Sequence, residues 1–350
     1  MSIFEVHIMM NQWRDFLTAG TASVDALGRV QFPEPATPAD CRLFDLSHLG
    51  LIAARGADAA SFLQGQLTND IRELSAGHTQ LSAHCSQKGR ILTLFRVLRL
   101  GETIYLQTPG ERVAESIQRL SRFILRAKVT LSDAGDELVR IGLAGETAAE
   151  LLAAQGLPAP APANGLAQSD EIAVIRIPGP TPRFELLGPF EPLRTLWEAL
   201  APQAAPANAA DWTRLDIQAG LPNVYDRTVE TFVPQMLNLQ LIDGVSFNKG
   251  CYTGQEVVAR MQFLGKLKRR MYLAEVERDV PPEPGDELSA ASSASQQTEG
   301  WVVDACPIGD RRHALLVVTE IAAVDSGCDI RLGVDGPVLS LREPPYGFPA

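Results

Sequence analysis

The sequence predicts an α+β fold in which ferredoxin-like units of mixed strands and helices are followed by a small all-β C-terminal domain. Three observations carry this expectation. Helical apolar patterns alternate with short β-rich runs over residues 42–265, tight turns such as QKGR and GE join neighbouring strands, and only short β runs follow Arg270. At 350 residues, 45% of them hydrophobic, the chain can bury two or three sizeable cores.

The elements follow in order. Residues 1–41 are rich in Ala, Thr, Pro and Gly and read as a loosely ordered lead-in. LFDLSHLGLIAARG reads as a strand pair, and ADAASFLQGQLTNDIREL as a helix with Phe62, Leu63 and Leu67 on one side. QLSAHCS, ILTLFRVLRL and TIYLQT read as strands, ERVAESIQRLSRFIL as a helix and AKVTLSD as a strand. The kinds of element then recur: LVRIGLAG, EIAVIRIPG and RFELLG as strands, ETAAELLAAQG, EPLRTLWEAL and DWTRLDIQAG as helices. LPAPAPANG and APQAAPANAAD read as surface connections. MYLAEVE, GWVVDAC and HALLVVTEI, separated by PPEPGD and a Ser/Gln-rich stretch, suit a small barrel or sandwich.

Charge and cysteine content narrow the function classes. The net charge of −11 disfavours general binding to nucleic acid or anionic membranes. Five cysteines without a CxxC pair signal neither a disulfide framework nor an autonomous metal cluster, so no stably bound metal is expected. The opening residues lack the charged and apolar regions of an export signal and no apolar run approaches the ~18 residues of a membrane span, so a cytoplasmic protein with no membrane partner is expected. Walker, GxGxxG, HExxH and GxSxG motifs are absent.

The segment KGCYTGQE carries the most chemistry. Thr253 and Glu256 have the spacing of a capping box, which would place Cys251 just ahead of a helix N-terminus. Orphan backbone N–H groups, the helix dipole and Lys249 would there favour a reactive thiolate, while Gly250 and Gly254 leave room for a ligand. The bland alternative is a small buried residue in a Gly-rich turn. From Lys249 to Arg270 there are six basic residues and one acidic one, +5 against −16 for the remainder, which marks either an anion site or a solvated linker. The histidines at 7, 48, 78, 84 and 313 are scattered, and none lies near Cys251 in sequence. Trp212 fits a core position or a flat stacking surface.

PQMLNLQLIDGVSFNKGCYTGQEVVARMQFLGKLKRR strongly resembles the YgfZ family of folate-binding proteins, whose signature is KGCYxGQE, and GADAASFLQGQLTNDI, CSQKGRILTLFRV and RLDIQAGLP extend the match over residues 42–275. That family is related to the T-protein of the glycine cleavage system, and FDLSHLG looks like a segment of that enzyme. The resemblance implies domains around a central folate pocket with a C-terminal antiparallel β-barrel: 42–137 with 210–265, 138–209, and 266–350. It implies tetrahydrofolate or a derivative as cofactor, with Trp212, Glu185, Tyr252, Gln255, Glu256 and Arg260 on the binding side and Cys251 with Lys249 as the reactive pair. The basic 260–270 stretch would hold a polyglutamate tail. Iron–sulfur enzymes or assembly proteins are the implied partners and tRNA modification the downstream effect, whereas direct tRNA binding is disfavoured because GKLKRR has no interleaved aromatics. Two departures stand out. Leu49 occupies the place of a family tryptophan, and Lys88-Gly89-Arg90 stands where the T-protein has its Asp pair, which weighs against aminomethyl transfer. A folate-dependent one-carbon transferase is the alternative activity.

Overall fold

A computed structural model describes residues 12–25, 29–33, 40–290 and 300–348. The chain forms two compact units: Met1–Ala60, Glu73–Gln80 and Arg96–Trp212 make the first, and Ser61–Arg72, Leu81–Phe95 and Thr213–Ala350 the second. The fold is a mixed α/β one with several sheets.

The first unit is built on a six-stranded sheet in the order Leu166–Ser169, Ile172–Arg176, Arg183–Gly188, Val139–Gly145, Cys41–Asp45, Ala205–Ala207. Every pairing is antiparallel except the last, in which Ala205–Ala207 runs parallel to Cys41–Asp45. Side chains alternate between faces along a strand, and register partners share a face. Leu43, Ile141, Leu143, Phe184 and Leu186 therefore form one apolar face, covered by a helix over 12–18 and the helices Ala148–Ala154 and Phe190–Leu200. Phe44, Arg140, Gly142, Arg183 and Glu185 occupy the opposite face, and there charge is buried. A second set of antiparallel strands comprises Leu49–Arg55, Thr103–Pro109, Thr130–Asp133 and the residues of Ile91–Leu100 from Arg96 onward.

The segment expected as a lead-in is described over 12–25 and 29–33, and the rest of it up to residue 39 lies outside the described residues. The helix over 12–18 holds a fully buried Trp13, whose ring meets Trp197 edge-on at 5.5 Å and whose Nε1 donates to Asp45 Oδ1 at 2.9 Å.

Several local expectations change. LFDLSHLGLIAARG is not a strand pair, because Cys41–Asp45 and Leu49–Arg55 join different sheets. The helix expected across ADAASFLQGQLTNDIREL stops at Gln64, just before Gly65, and only a 3-10 turn, Ile71–Glu73, follows. The helix expected across ERVAESIQRLSRFIL spans Val113–Ser121 and leaves Phe123 and Leu125 exposed beyond it. APQAAPANAAD contains the parallel strand Ala205–Ala207, where Pro206 sits in an edge strand that tolerates a missing donor.

The second unit contains a six-stranded antiparallel sheet, a curled half-barrel, in the order Ile330–Leu332, Glu287–Ala290, Gly300–Gly309, Arg312–Glu320, Arg269–Glu277, Ser340–Arg342. Leu273, Val303, Leu316 and Val318 pack on one side with Ile217, Phe232, Leu237 and the Ala83–Cys85 and Ile91 positions, while Tyr272, Val302, Leu315 and Val317 fill the other. A short helix, Ile321–Asp325, appears where the sequence suggested strands alone. The Ser/Gln-rich connection falls on 291–299, outside the described residues. No helix among the described residues is long and apolar enough to cross a membrane.

Candidate functional site

In the second unit three sequence segments converge: QGQLTND, CSQKGR and KGCYTGQE. Past Gln64 the chain leaves helical geometry and turns the carbonyls of Gln64, Leu67 and Asn69 toward one point. Lys249 Nζ fills it, donating to these oxygens at 2.8, 2.5 and 2.7 Å. An ammonium carries three N–H donors, so this cage satisfies all of them. The cage is itself pinned. Thr68 Oγ1 donates to Gly244 O at 2.7 Å, Ser246 N donates to Thr68 O at 3.0 Å, and Asn69 Nδ2 donates to Leu81 O at 3.0 Å and Asp243 O at 2.6 Å. Burial lowers the Lys249 pKa to about 8, helped by Arg72 and opposed by Asp70. Hydrogen bonds from Arg72 hold the Asp70 carboxyl well below the usual carboxylate range.

Burial alternates sharply along the next residues. Lys249 is buried, Gly250 meets nothing that would obstruct a Cβ, Cys251 is exposed, and Tyr252 is buried with its ring centroid 5.1 Å from Lys249 Nζ. Two inward anchors thus project the intervening thiol outward. The Tyr252 phenol is pushed up in pKa by burial and then by the neighbouring Cys85, itself buried and raised to about 12.

The expected capping box does not form. The helix begins at Gln255, and its N-cap is Gly254 at φ +83° with no side-chain cap. A Cβ on Gly254 would lie 2.4 Å from Ser86 O, and one on Gly89 (φ +68°) 2.9 Å from Val257 Cβ. Close packing of the two motifs, rather than cap chemistry, fixes this helix end, and only glycine meets both the contact and the left-handed backbone. The CSQKGR turn is closed by Ser86 N donating to Arg90 O at 2.8 Å and Gly89 N to Ser86 O at 2.9 Å. Lys88 is exposed at its tip. Along the helix Glu256 and Arg260 pair with each other at 2.6 Å on an exposed face, and Gln255 is half-buried. His84, on the strand Gln80–Cys85, is buried with its backbone bridged to Leu67.

Trp212 and Glu185 come together in the first unit, on the charged face of its six-stranded sheet. Glu185 is paired in register with Gly142, and a Cβ on Gly142 would lie 2.5 Å from the Trp212 ring, so the missing side chain makes room for the indole. The Arg183 guanidinium lies over that ring at 5.0 Å and Phe44 meets it edge-on at 5.2 Å. Trp212 is only 3% exposed. Gln107 Nε2 donates to Glu185 Oε1, and Arg140, fully buried, donates to Leu138 O at 2.9 Å and faces the Glu185 charge. Leu49 opens the strand Leu49–Arg55, half-buried and opposite Pro109.

Sequence reasoning did not single out Gln107, Arg140 or Arg183, nor the carbonyl cage. A signal existed for the arginines: LVRIGLAG and RFELLG each place a charge inside an otherwise apolar strand, which in a buried sheet demands a partner. The cage has none, because backbone carbonyls carry no residue code. Among the described residues no group of three or more His, Cys, Asp or Glu side chains could hold a metal ion.

The architecture matches a solved fold. The chain is similar to the glycine cleavage system aminomethyltransferase T from Bartonella henselae with a TM-score of 0.70 at 20% identity, covering 95% of this chain and 96% of that one. Residues 35–165 match the family model described as the GCVT N-terminal domain. A sharper match comes from sequence. The chain is 31% identical to the tRNA-modifying protein YgfZ of Colwellia psychrerythraea over 89% of this chain and 91% of that protein. It is 31% identical to the protein of the same name from Sodalis glossinidius over 91% and 97% respectively. The chain belongs to the YgfZ family.

Proposed function

We propose that this protein is a cytoplasmic, tetrahydrofolate-binding accessory factor that supports iron–sulfur cluster assembly or repair, and through it tRNA modification, with Cys251 as a reactive or transiently ligating thiol. The observation that carries it is the presentation of Cys251. A thiol held out between two buried anchors, on a loop tied through the Lys249 side chain to QGQLTND and packed at Gly254 against the CSQKGR turn, suits hand-over of a soft metal cargo better than a packing role. The names of the relatives, tRNA-modifying proteins, support the end point.

Folate is assigned to the charged face of the first unit. A buried carboxylate needs N–H partners, and Glu185 with the Gln107 amide beside it fits the amino-pyrimidinone edge of a pterin, which offers adjacent N–H donors. Trp212, covered by Arg183 and Phe44, would shape the wall and hold Arg183 in place. When bound, the folate would supply a one-carbon or redox-active ring. Ferredoxin-like packing of the units and domain boundaries at 42–137 with 210–265, 138–209 and 266–350 belong to the same proposal.

The test is a deletion strain complemented with wild type, Cys251→Ser and Cys251→Ala, scored by iron–sulfur enzyme activity under oxidative stress and by mass spectrometry of tRNA nucleosides. Both variants should fold and fail to complement. Full rescue by both would remove the thiol role. The aminomethyltransferase-like fold favours the second reading, a folate-dependent one-carbon transferase. Turnover of methylene- or formyl-tetrahydrofolate with an amine or RNA acceptor would establish it. Lys88-Gly89-Arg90 brings no carboxylate to the turn, which counts against it.

A further inference from the structure

The helix that starts beside the Cys251 loop, Gln255–Phe263, ends in an exposed apolar tip. Phe263 is 69% and Leu264 86% exposed, which is unusual for two consecutive large apolar side chains. The tip is ordered: Leu264 N and Gly265 N both donate to Arg260 O, at 2.9 and 2.8 Å, and the Gly265 backbone packs against Met261. Phe247 meets Phe263 edge-on with ring centroids 5.7 Å apart, propping the exposed ring.

Cations lie close to this ring along the chain. Arg260, Lys266 and Lys268 are all exposed, and among the described residues neither lysine has an ion-pair partner. Arg269 and Arg270 are employed structurally, Arg269 on Glu320 at 2.9 Å and over Trp301, and Arg270 over Phe348. An apolar tip ringed by acids or neutral groups would suit a protein partner, whose interfaces are depleted in lysine. An exposed aromatic ring with unpaired, exposed lysines three and five residues further on suits unpaired nucleotides, whose bases stack on the ring while phosphates meet the ammonium groups. The sequence weighed against RNA because GKLKRR contains no aromatic, and the fold exposes Phe263 two residues ahead of it and props that ring on Phe247.

We infer that the Phe263–Lys268 tip is a docking site for a single-stranded segment of RNA. This rests on the reading of a role in tRNA modification only for the choice of tRNA as the partner. The acidic remainder of the chain would confine contact to this patch and keep the affinity modest.

The test is fluorescence anisotropy of the full chain with labelled unfractionated tRNA and with a labelled single-stranded oligonucleotide, over a salt series. Wild type should bind both, with affinity falling as salt rises. Lys266→Glu with Lys268→Glu should weaken binding by at least tenfold and flatten the salt slope by roughly 1.4, about 0.7 per lost phosphate contact. Phe263→Ala should weaken it about tenfold, on the order of one lost stacking contact, with the salt slope kept. Arg311→Glu, at an exposed position on the C-terminal sheet hairpin, should change little. Absence of salt-dependent binding in wild type, or unchanged binding in the lysine variant, overturns the inference. So does a lysine variant that binds RNA normally but loses a pentaglutamylated folate, since the patch would then be a tail site. Monoglutamyl folate binding, measured in parallel, separates the two proposals: its loss with RNA binding intact sinks the folate reading alone.

Discussion

Glu185 and Lys249 are both buried ionisable side chains, and each unit of the molecule neutralises its own by different means. Glu185 faces other side chains, the Gln107 amide and the field of Arg140, on the charged side of a sheet whose opposite side is apolar apart from Asp45, held by Trp13. Lys249 faces backbone carbonyls from three residues of one turn. Side chains can rotate and exchange partners with an incoming molecule, whereas carbonyls cannot be released without refolding the turn. The first arrangement therefore suits recognition of a ligand, and the second holds a loop in shape around an exposed thiol.

That contrast can be broken most severely at Lys249. Lys249→Met leaves buried carbonyls without donors and should cost about 3 kcal/mol of unfolding free energy in a denaturant titration, since each orphaned buried acceptor costs ~1–3 kcal/mol; a loss below about 1 kcal/mol would mean the turn stands without its lysine. Gly254→Ala comes next, combining a left-handed backbone with a contact against Ser86 O, and should cost about 2 kcal/mol by the same assay. Glu185→Gln should scarcely alter the midpoint of thermal unfolding yet weaken tetrahydrofolate binding roughly tenfold, on the order of one charge-assisted hydrogen bond. A large loss of stability with unchanged folate affinity would make Glu185 structural.

A smaller effect sharpens the comparison by adding a third buried charge. Asp304 accepts from Tyr225 Oη at 2.8 Å and Ala305 N at 2.9 Å, and burial raises its pKa to about 7, with Asp216 adding to the rise and Asn223 opposing it. Its folded pKa lies above its unfolded one, so the protonated acid contributes stability fully present below about pH 4 and lost as pH climbs toward 7. Asp304→Asn should flatten the pH dependence of the unfolding midpoint in that window, and an unaltered slope would locate the titration elsewhere. Smallest of all, Cys251→Ser should change stability by no more than about 0.5 kcal/mol. A thiol reagent on the native protein should meet the exposed Cys251 first and the half-buried Cys328 more slowly, with Cys41, Cys85 and Cys306 reacting only on unfolding.

Legibility in the sequence followed the kind of force involved. The apolar strands LVRIGLAG, RFELLG and HALLVVTEI and the helix EPLRTLWEAL were readable because burial imposes a period. Contacts made by backbone were not. Thr253 and Glu256 have the right spacing for a cap, but the approach of Gly254 to the Ser86–Arg90 turn decides that helix end. Nor does any pattern announce that the helix after Ala59 must stop at Gln64 so that its carbonyls can be gathered by a lysine 185 positions away. Ala205–Ala207 was hidden differently: an Ala-Pro-Ala strand is a strand only because Cys41–Asp45 lies beside it. The segments of the candidate site were conspicuous as motifs, while their meeting place was not.

The carbonyl cage makes Lys249 a clock for the site. Of the five lysines in the chain, Lys88, Lys128, Lys266 and Lys268 are exposed and Lys249 is buried. An amine-reactive reagent applied to the native protein should therefore label four lysines promptly, and the fifth only as often as the QGQLTND turn opens. With reagent concentrated enough that labelling outpaces reclosing, the rate at which that last lysine acquires label gives the lifetime of the closed loop, without any ligand, client or activity in hand.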